Sequence, residues 1–481
     1  MDGELYQRVD DWFEAHREDM VRDIMRLVRI PSVSDPDAIE KPFGKGCRDC
    51  LDEMLAIGRE HGFVTENYDY YMGRIGEKEK NWENMIGFFN HLDVVPPGNE
   101  WVTPPFEPVR KEHFLIGRGA ADNKGPAVGM LYVMQCIREL GIEMKHELSL
   151  FVGCDEERGM EDLDYYTARY PVPALSIIAD SGFPVCYGEK GILEGRMVSC
   201  EELSDCVLEC CGGSASNMIP DRAWVLLRAA DALKEELLEK KPEGIHILEE
   251  ERGIRVTAGG LGKHSAFPEG SRNAIFELAH FLKGISGLEE GDRNVFAVLA
   301  YLSEEYYGEH MGVGYEDEVS GRTTCAATVL RLEQHRVSVW FNIRYAVTDS
   351  SSRIIKGMDE AAGKLGMIWE TQRDSAPNYF PREHPAVELL TKLYCEITGD
   401  RKESFVMGGG TYARKLPHAF AYGVGGMQES EEDLRVKSLI AKPGHGGAHE
   451  PGEMLNIRLL TEAMKIYTMG MIGMNDCPLK Y

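Results

Sequence analysis

A chain of 481 residues exceeds one ordinary hydrophobic core, so two or three domains are expected. Lys and Arg number 53 against 80 Asp and Glu, a formal net charge of −27, which repels phosphate backbones and anionic lipid and argues against nucleic-acid and membrane partners. No apolar run approaches the ~20 residues that span a bilayer, and the acidic N-terminus lacks the basic-then-apolar pattern of a signal peptide, so a cytoplasmic protein is expected.

In chain order, apolar residues recur at helical spacing from Leu5 to Val28, and Pro31 breaks the pattern. A second helix is predicted from Arg48 to Glu60; Cys47 just before it and Cys50 within it form a lone CxxC without the second pair that a zinc ribbon needs. The 12 cysteines are irregularly spaced and read as reduced thiols. Short apolar runs follow, MIGFFN (85–90), LSLFVG (148–153) and LSIIAD (175–180), with a helical segment at 124–140 between the first two. That alternation predicts an α/β layer with a largely parallel sheet.

Near Gly188 to Gly195 the texture changes. Up to about Pro377 the chain holds amphipathic helices such as NAIFELAHFLKGI and alternating strands such as CAATVLRL and VSVWFNIRY, the pattern of an α+β unit on antiparallel strands whose face can stay wet. After Pro381 the first texture returns. The expected architecture is an α/β catalytic domain in two parts, 1–190 and 378–481, with a mostly parallel mixed sheet and helices on both faces. An α+β lid domain, 191–377, is inserted into it.

Each apolar run ends in groups that can ligate a metal: His91 and Asp93 after the first, Asp155, Glu156 and Glu157 after the second, Asp180 after the third. In an open α/β sheet the carboxyl ends of the strands form the crevice where ligands bind, so these groups are expected to converge. Three adjacent carboxylates repel one another, so the run CDEE is either a solvated turn or the neighbour of a cation. Asp93 is placed to take the second N–H of the His91 imidazole. Asp122, in GRGAADNKGP, fits a helix cap and a ligand equally. His445 and His449 lie in a Gly-rich loop, AKPGHGGAHEPGE. A mixed His and carboxylate set suits zinc, with manganese or cobalt also compatible.

The motifs HLDVVP, GRGAADNKGP, CDEERG, IIADSGFP and HEPGE, in that order, resemble the di-zinc amidohydrolases and peptidases that include aminoacylase-1, carboxypeptidase G, succinyl-diaminopimelate desuccinylase and the PepV-type dipeptidases. The resemblance runs from about Ile30 to Glu453 and implies a zinc-exopeptidase type of fold. Carried over by position, it implies that His91 and Asp180 bind one zinc, that Glu157 and His449 bind the other, and that Asp122 bridges both. It further implies Glu156 as general base and a cis bond between Asp122 and Asn123. The last motif departs from the family's H-x-x-N-E by a Gly for Asn, and His449 fits its first position better than His445.

Inside the insert, GKHSAFPEGSRNA resembles the family's lid signature, which implies that His264 stabilises the oxyanion of the tetrahedral intermediate. SASNMIPDRA and FNIRY resemble PepV-type stretches and imply that Asn217 and Arg344 hold the substrate carboxylate, a task suited to a planar guanidinium. GGGTYAR matches a PepV-type motif as well, which implies Gly410 and Thr411 as substrate-binding residues; no Lys-Ser/Thr follows the glycines, so it is no phosphate loop. The resemblance implies a metal-dependent dipeptidase acting on small peptides. An N-acyl-amino-acid amidohydrolase is the alternative. The long insert favours a monomer, with a dimer as the other arrangement.

Overall fold

The computed structural model describes residues 2–228, 230–442 and 444–480; the limits 1 and 481 of the expected catalytic domain, and Pro443 of the Gly-rich loop, lie outside the described residues. The chain divides into two compact units. The first comprises Met1–Gly188, Tyr379–Phe405 and Gly410–Tyr481; the second comprises Glu189–Asn378 and Val406–Gly409. The short return Val406–Gly409, expected with the outer segments, groups with the second unit because its backbone bonds there: the Lys190 N–H donates to the Met407 carbonyl at 2.9 Å.

The first unit is α/β. Met85–His91, Glu147–Gly153, Leu175–Ile178 and Ala419–Tyr422 form the parallel centre of its sheet, with His91 opposite Gly153 and Phe89 opposite Ile178. Antiparallel strands flank it, Met72–Gly76 and Val64–Tyr68 on one side and Val185–Glu189 on the other. Every residue of Met85–His91 is buried, which explains the unbroken apolar run at 85–89. Phe88 and Phe89 are fully enclosed, and each such side chain contributes roughly 1.5–3 kcal/mol.

Helices Gly3–Val28, Gly125–Glu139 and Ile457–Gly473 pack together, and Pro385–Thr398 joins the last of them. Gly129 permits the close approach: a Cβ there would stand 2.4 Å from Met464 Sδ. The first helix begins two residues ahead of its apolar pattern because the Asp2 carboxylate accepts from the Glu4 and Leu5 N–H groups. Cys47 and Cys50 are buried free thiols on the helix Lys45–Glu60. Among the described residues no helix is long and apolar enough to cross a membrane.

The second unit is built on an eight-stranded antiparallel sheet, in the order Ile245–Glu250, Gly253–Gly259, Arg222–Leu227, Val207–Gly212, Thr324–Glu333, Arg336–Tyr345, Gly191–Ser199, Met367–Ser375. Gly253–Gly259 alternates buried and half-buried positions as expected of a sheet with one wetter face. Arg336–Tyr345 departs from that expectation, since only Arg336 and Trp340 escape burial. The helices Ala274–Leu282, Glu290–Ser303 and Ser351–Lys364 share a core with its apolar face, whereas on the other face Asn342 and Arg344 are closed in by polar contacts, Arg344 bonding Asn342 and the Gly408 carbonyl and Asn342 meeting Glu194 and Ser265.

Candidate metal centre and active site

Because the central strands are parallel, their carboxyl ends lie at one edge of the sheet, and the loops leaving that edge carry the titratable groups. His91 closes its strand. Its Nε2 lies 3.0 Å from Asp122 Oδ1 and 3.6 Å from Asp180 Oδ2. His449 Nε2 lies 3.1 Å from Asp122 Oδ2 and 2.9 Å from Glu157 Oε1. Two donor groups result, His91 with Asp122 and Asp180, and Asp122 with Glu157 and His449; within each, ligand atoms fall within 4.8 Å of one another. Asp122 belongs to both. Its two oxygens face different histidines, as a carboxylate between two cations must. His445 is brought instead to within 3.5 Å of Glu100.

The electrostatics fit a cation pair. Burial pushes the Asp180 carboxyl up to about 7, and the charge of Asp122 adds to that. Burial likewise raises Glu156 well above the carboxylate range, with Asp180, Glu157 and Asp93 contributing repulsion. Hydrogen bonds to Asp122 and Glu157 raise the His449 imidazole to about 10. Burial opposes a charge on His91, yet bonds to Asp122 and Asp93 hold its pKa well above the ordinary value. Asp122 is held low by the two imidazoles in spite of its burial. So much negative charge on so few oxygens, interleaved with two imidazole nitrogens, is the donor chemistry of hard-to-borderline divalent ions.

The loop 154–157 is held by its backbone. The Asp162 carboxylate accepts from the N–H groups of Cys154 at 2.7 Å and Asp155 at 2.9 Å. The Asp93 carboxylate accepts from Glu156 at 3.2 Å and Glu157 at 3.1 Å. His91 Nδ1 lies 3.0 Å from the Asp93 main-chain carbonyl and 3.5 Å from the Asp93 carboxylate, so Asp93 meets the imidazole while its carboxylate also holds the two amides. Asp155 fixes the loop from its other side, accepting from Ser34 Oγ at 2.5 Å and from the Glu161 N–H at 3.1 Å. Burial pushes the Asp155 carboxyl up to about 6 against the Ser34 bond.

Glu453 does the same for the loop that carries Asp122. Fully buried, it accepts from Arg118 Nη1 at 2.6 Å and from the N–H groups of Gly119 at 3.1 Å, Ala121 at 2.9 Å and Asp122 at 3.1 Å. Arg118 also reaches the carbonyl of His449 at 3.3 Å. That bond steadies a residue at φ +65, a conformation uncommon outside glycine. Neither Arg118 nor Glu453 carried a role in the sequence reading; the signal was a glutamate closing a Gly-rich motif. The Asp122–Asn123 bond is cis, and Asn123 Nδ2 donates to Asp180 Oδ1 at 2.9 Å.

The remaining expected site residues divide between the units. Gly410 and Thr411 belong to the first. The Thr411 side chain accepts from the Ala413 N–H at 3.2 Å and caps the short turn Tyr412–Lys415, and a Cβ on Gly410 would overlap the Arg414 guanidinium. These contacts give both a local structural task. In the second unit, Met218–Ile219 pairs with Lys263–His264, and the Ser265 N–H donates to the Asn217 carbonyl at 2.9 Å, so Asn217 and His264 are neighbours. Arg344 is buried, its Nε donating to Asn342 Oδ1 at 2.8 Å and Nη1 to the Gly408 carbonyl at 3.0 Å. Ser265 Oγ donates to the same Asn342 oxygen at 2.8 Å. Burial, and then the Arg344 charge, lower the pKa of His264.

Residues 87–469 match the model of peptidase family M20/M25/M40. The Beta-Ala-Xaa dipeptidase of Lactobacillus delbrueckii subsp. lactis is 30% identical over 427 residues, covering 85% of this chain and 89% of its own. Among solved structures, human carnosine dipeptidase 1 superposes with a TM-score of 0.58 at 15% identity, over 98% of this chain and 99% of that one. The Bacillus subtilis YXEP protein, a dinuclear metal binding peptidase, gives 0.50 at 8% identity, over 96% and 99%. At those identities the structures speak for the fold alone. The family match and the bacterial relative carry the assignment: the chain belongs to peptidase family M20/M25/M40.

Proposed function

We propose that the protein is a metal-dependent dipeptidase in which Glu156 is the general base. The observation that carries this reading is the pair of donor groups sharing Asp122, with Glu156 next to the ligand Glu157 in one clamped loop. His91 and Asp180 would hold one divalent ion, Glu157 and His449 a second, and Asp122 both, with zinc the ion best matched to this set. Bound there, two ions would supply Lewis acidity and lower the pKa of the attacking water.

The chain's own residues do the rest. Asp93 orients the Glu156 and Glu157 amides, so the Glu156 carboxylate is presented at a fixed angle. A Glu156 oxygen takes the proton of the attacking water as the water adds to the amide carbon, and gives it to the amide nitrogen as the C–N bond breaks. The high pKa that burial imposes on Glu156 suits it to both transfers. In the second unit, His264 is the proposed donor to the developing oxyanion, and Asn217 and Arg344 the proposed holders of the substrate carboxylate. Gly410 and Thr411 remain proposed substrate contacts through their backbone, alongside the capping task of Thr411.

The relative named for Beta-Ala-Xaa peptides supports free dipeptides as the substrate class. The long second unit supports action as a monomer. The test is a panel of unblocked dipeptides set against N-acetyl and N-succinyl amino acids on zinc-loaded protein. Cleavage of dipeptides only is expected, and cleavage confined to the acylated compounds would replace this reading by an amidohydrolase.

A further inference from the structure

The motif GGGTYAR contains one side chain that neither a substrate contact nor a cap explains. Tyr412 is 1% exposed, and its hydroxyl donates to Asp162 Oδ2, the same oxygen that accepts from the Cys154 and Asp155 N–H groups. The other Asp162 oxygen accepts from the Leu163 N–H at 2.7 Å. Asp162 is fully buried, and burial pushes its carboxyl up to about 7, a rise that the bonds from the phenol and the Leu163 N–H oppose.

Two further observations bear on the pair independently. Gly153, the last residue of its strand, leaves the space in which the pair meets: a Cβ on it would stand 2.2 Å from Asp162 Oδ2 and 2.2 Å from the Tyr412 oxygen. The Tyr412 ring also stands edge-on to the His91 ring, 6.5 Å between centroids at 88°. Next to the pair, Lys415 Nζ reaches Asp164 at 2.9 Å, a second strap between the same turn and the helix Glu161–Thr167.

Every backbone N–H from Cys154 to Glu157 is thus taken by a buried carboxylate, the first two by Asp162 and the last two by Asp93. A short segment held at four consecutive amides has little freedom, and a displacement of about 1 Å in a reacting group can cost a hundredfold in rate. We propose that Tyr412 and Asp162 are a positioning pair: Tyr412 fixes the carboxylate that grips the amides before Glu156, and so sets where the general base stands. This rests on the assignment of Glu156 as base. The pair touches neither substrate nor reacting atoms.

The test is Tyr412→Phe, which removes one oxygen and keeps the ring, with Asp162→Asn as the second variant. Each is read by amide hydrogen exchange on metal-free protein and by dipeptide hydrolysis on zinc-loaded protein. The expected result for both is exchange at Cys154 and Asp155 at least tenfold faster than in the parent, with the amides of Ala419–Tyr422 unchanged. kcat falls tenfold or more while KM stays within twofold. Unchanged exchange at Cys154 and Asp155 in both variants overturns the proposal, as does unchanged kcat despite faster exchange. If the parent protein cleaves no dipeptide, the functional reading fails, and the exchange measurement still decides whether the pair holds the loop.

Discussion

Replacing Glu453 by Gln tests how the Asp122 loop is built. The carboxylate takes four N–H donors: Oε2 accepts from Arg118 and Gly119, and Oε1 from Ala121 and Asp122. A glutamine amide keeps one acceptor oxygen and turns an NH2 group toward two of those donors. At about 1.5–3 kcal/mol for a hydrogen bond to a charged group, two lost bonds give roughly 3–6 kcal/mol. Breaking a buried ion pair by removing one partner gives an independent figure of about 3–5 kcal/mol. The variant should therefore lose about 3–5 kcal/mol in guanidinium unfolding of the metal-free protein. Trp101 is a local reporter, since its ring centroid lies 5.3 Å from the Arg118 guanidinium. The double variant Glu453→Gln with Arg118→Gln should cost less than the sum of the singles, because the second change removes the stranded charge. A Glu453→Gln protein that unfolds with the parent, or singles that add, would refute the claim that this ion pair anchors the loop.

Glu156→Gln should leave metal content at the parent value and lower kcat by about 10²–10⁴, the usual contribution of a positioned base, as read by metal analysis beside dipeptide hydrolysis. His449→Ala should drop bound metal from two ions per chain toward one, while His445→Ala leaves it unaltered; equal loss in both would contradict the geometry at Asp122. Chelation should abolish hydrolysis, and added zinc should restore it. Away from the site, His61 Nε2 meets Asp23 Oδ2 at 2.8 Å. The hydrogen bond to Asp23 raises the His61 pKa, and although burial opposes the charge on Asp23, bonds from His61 and Tyr132 hold its carboxyl below the usual value. The raised imidazole contributes stability in full below its unfolded value of about 6.5 and loses it as pH rises through the folded value. The lowered carboxyl contributes above its unfolded value of about 3.9 and loses it as pH falls through the folded one. The Tm difference between parent and His61→Gln should therefore be largest near pH 5–6 and shrink toward alkaline pH; a difference that grows with pH would contradict the pairing.

How much could be read beforehand follows from the kind of signal each residue leaves. The central strands were legible because full burial writes an unbroken apolar run, and their parallel pairing carried His91, Glu157 and Asp180 to one edge. His449 stands beside Asp122, whereas His445 stands beside Glu100. The residues that hold the loops were not legible. Glu453 bonds to amides more than 330 positions away, and Tyr412 to a carboxylate 250 away, and no local spacing announces such contacts. Asp93 was legible as the partner of an imidazole because the pattern H-x-D shows side chains; its second task, holding the Glu156 and Glu157 amides, was not, since a sequence does not display backbone donors. The adjacent acids of CDEE now part in their contacts. Asp155 binds Ser34, Glu157 faces His449, and Glu156 is left unligated beside them.

The central claim is that overlapping metal groups and Glu156 cut the bond of a free dipeptide. Stepwise zinc addition to metal-free protein, following amino-acid release from an unblocked dipeptide, tests it most directly. Activity that rises to a plateau at two zinc ions per chain, and is lost in Glu156→Gln at the same zinc content, is the result expected. A plateau at one ion, or a Glu156→Gln protein that hydrolyses the dipeptide at the parent rate, would contradict the account.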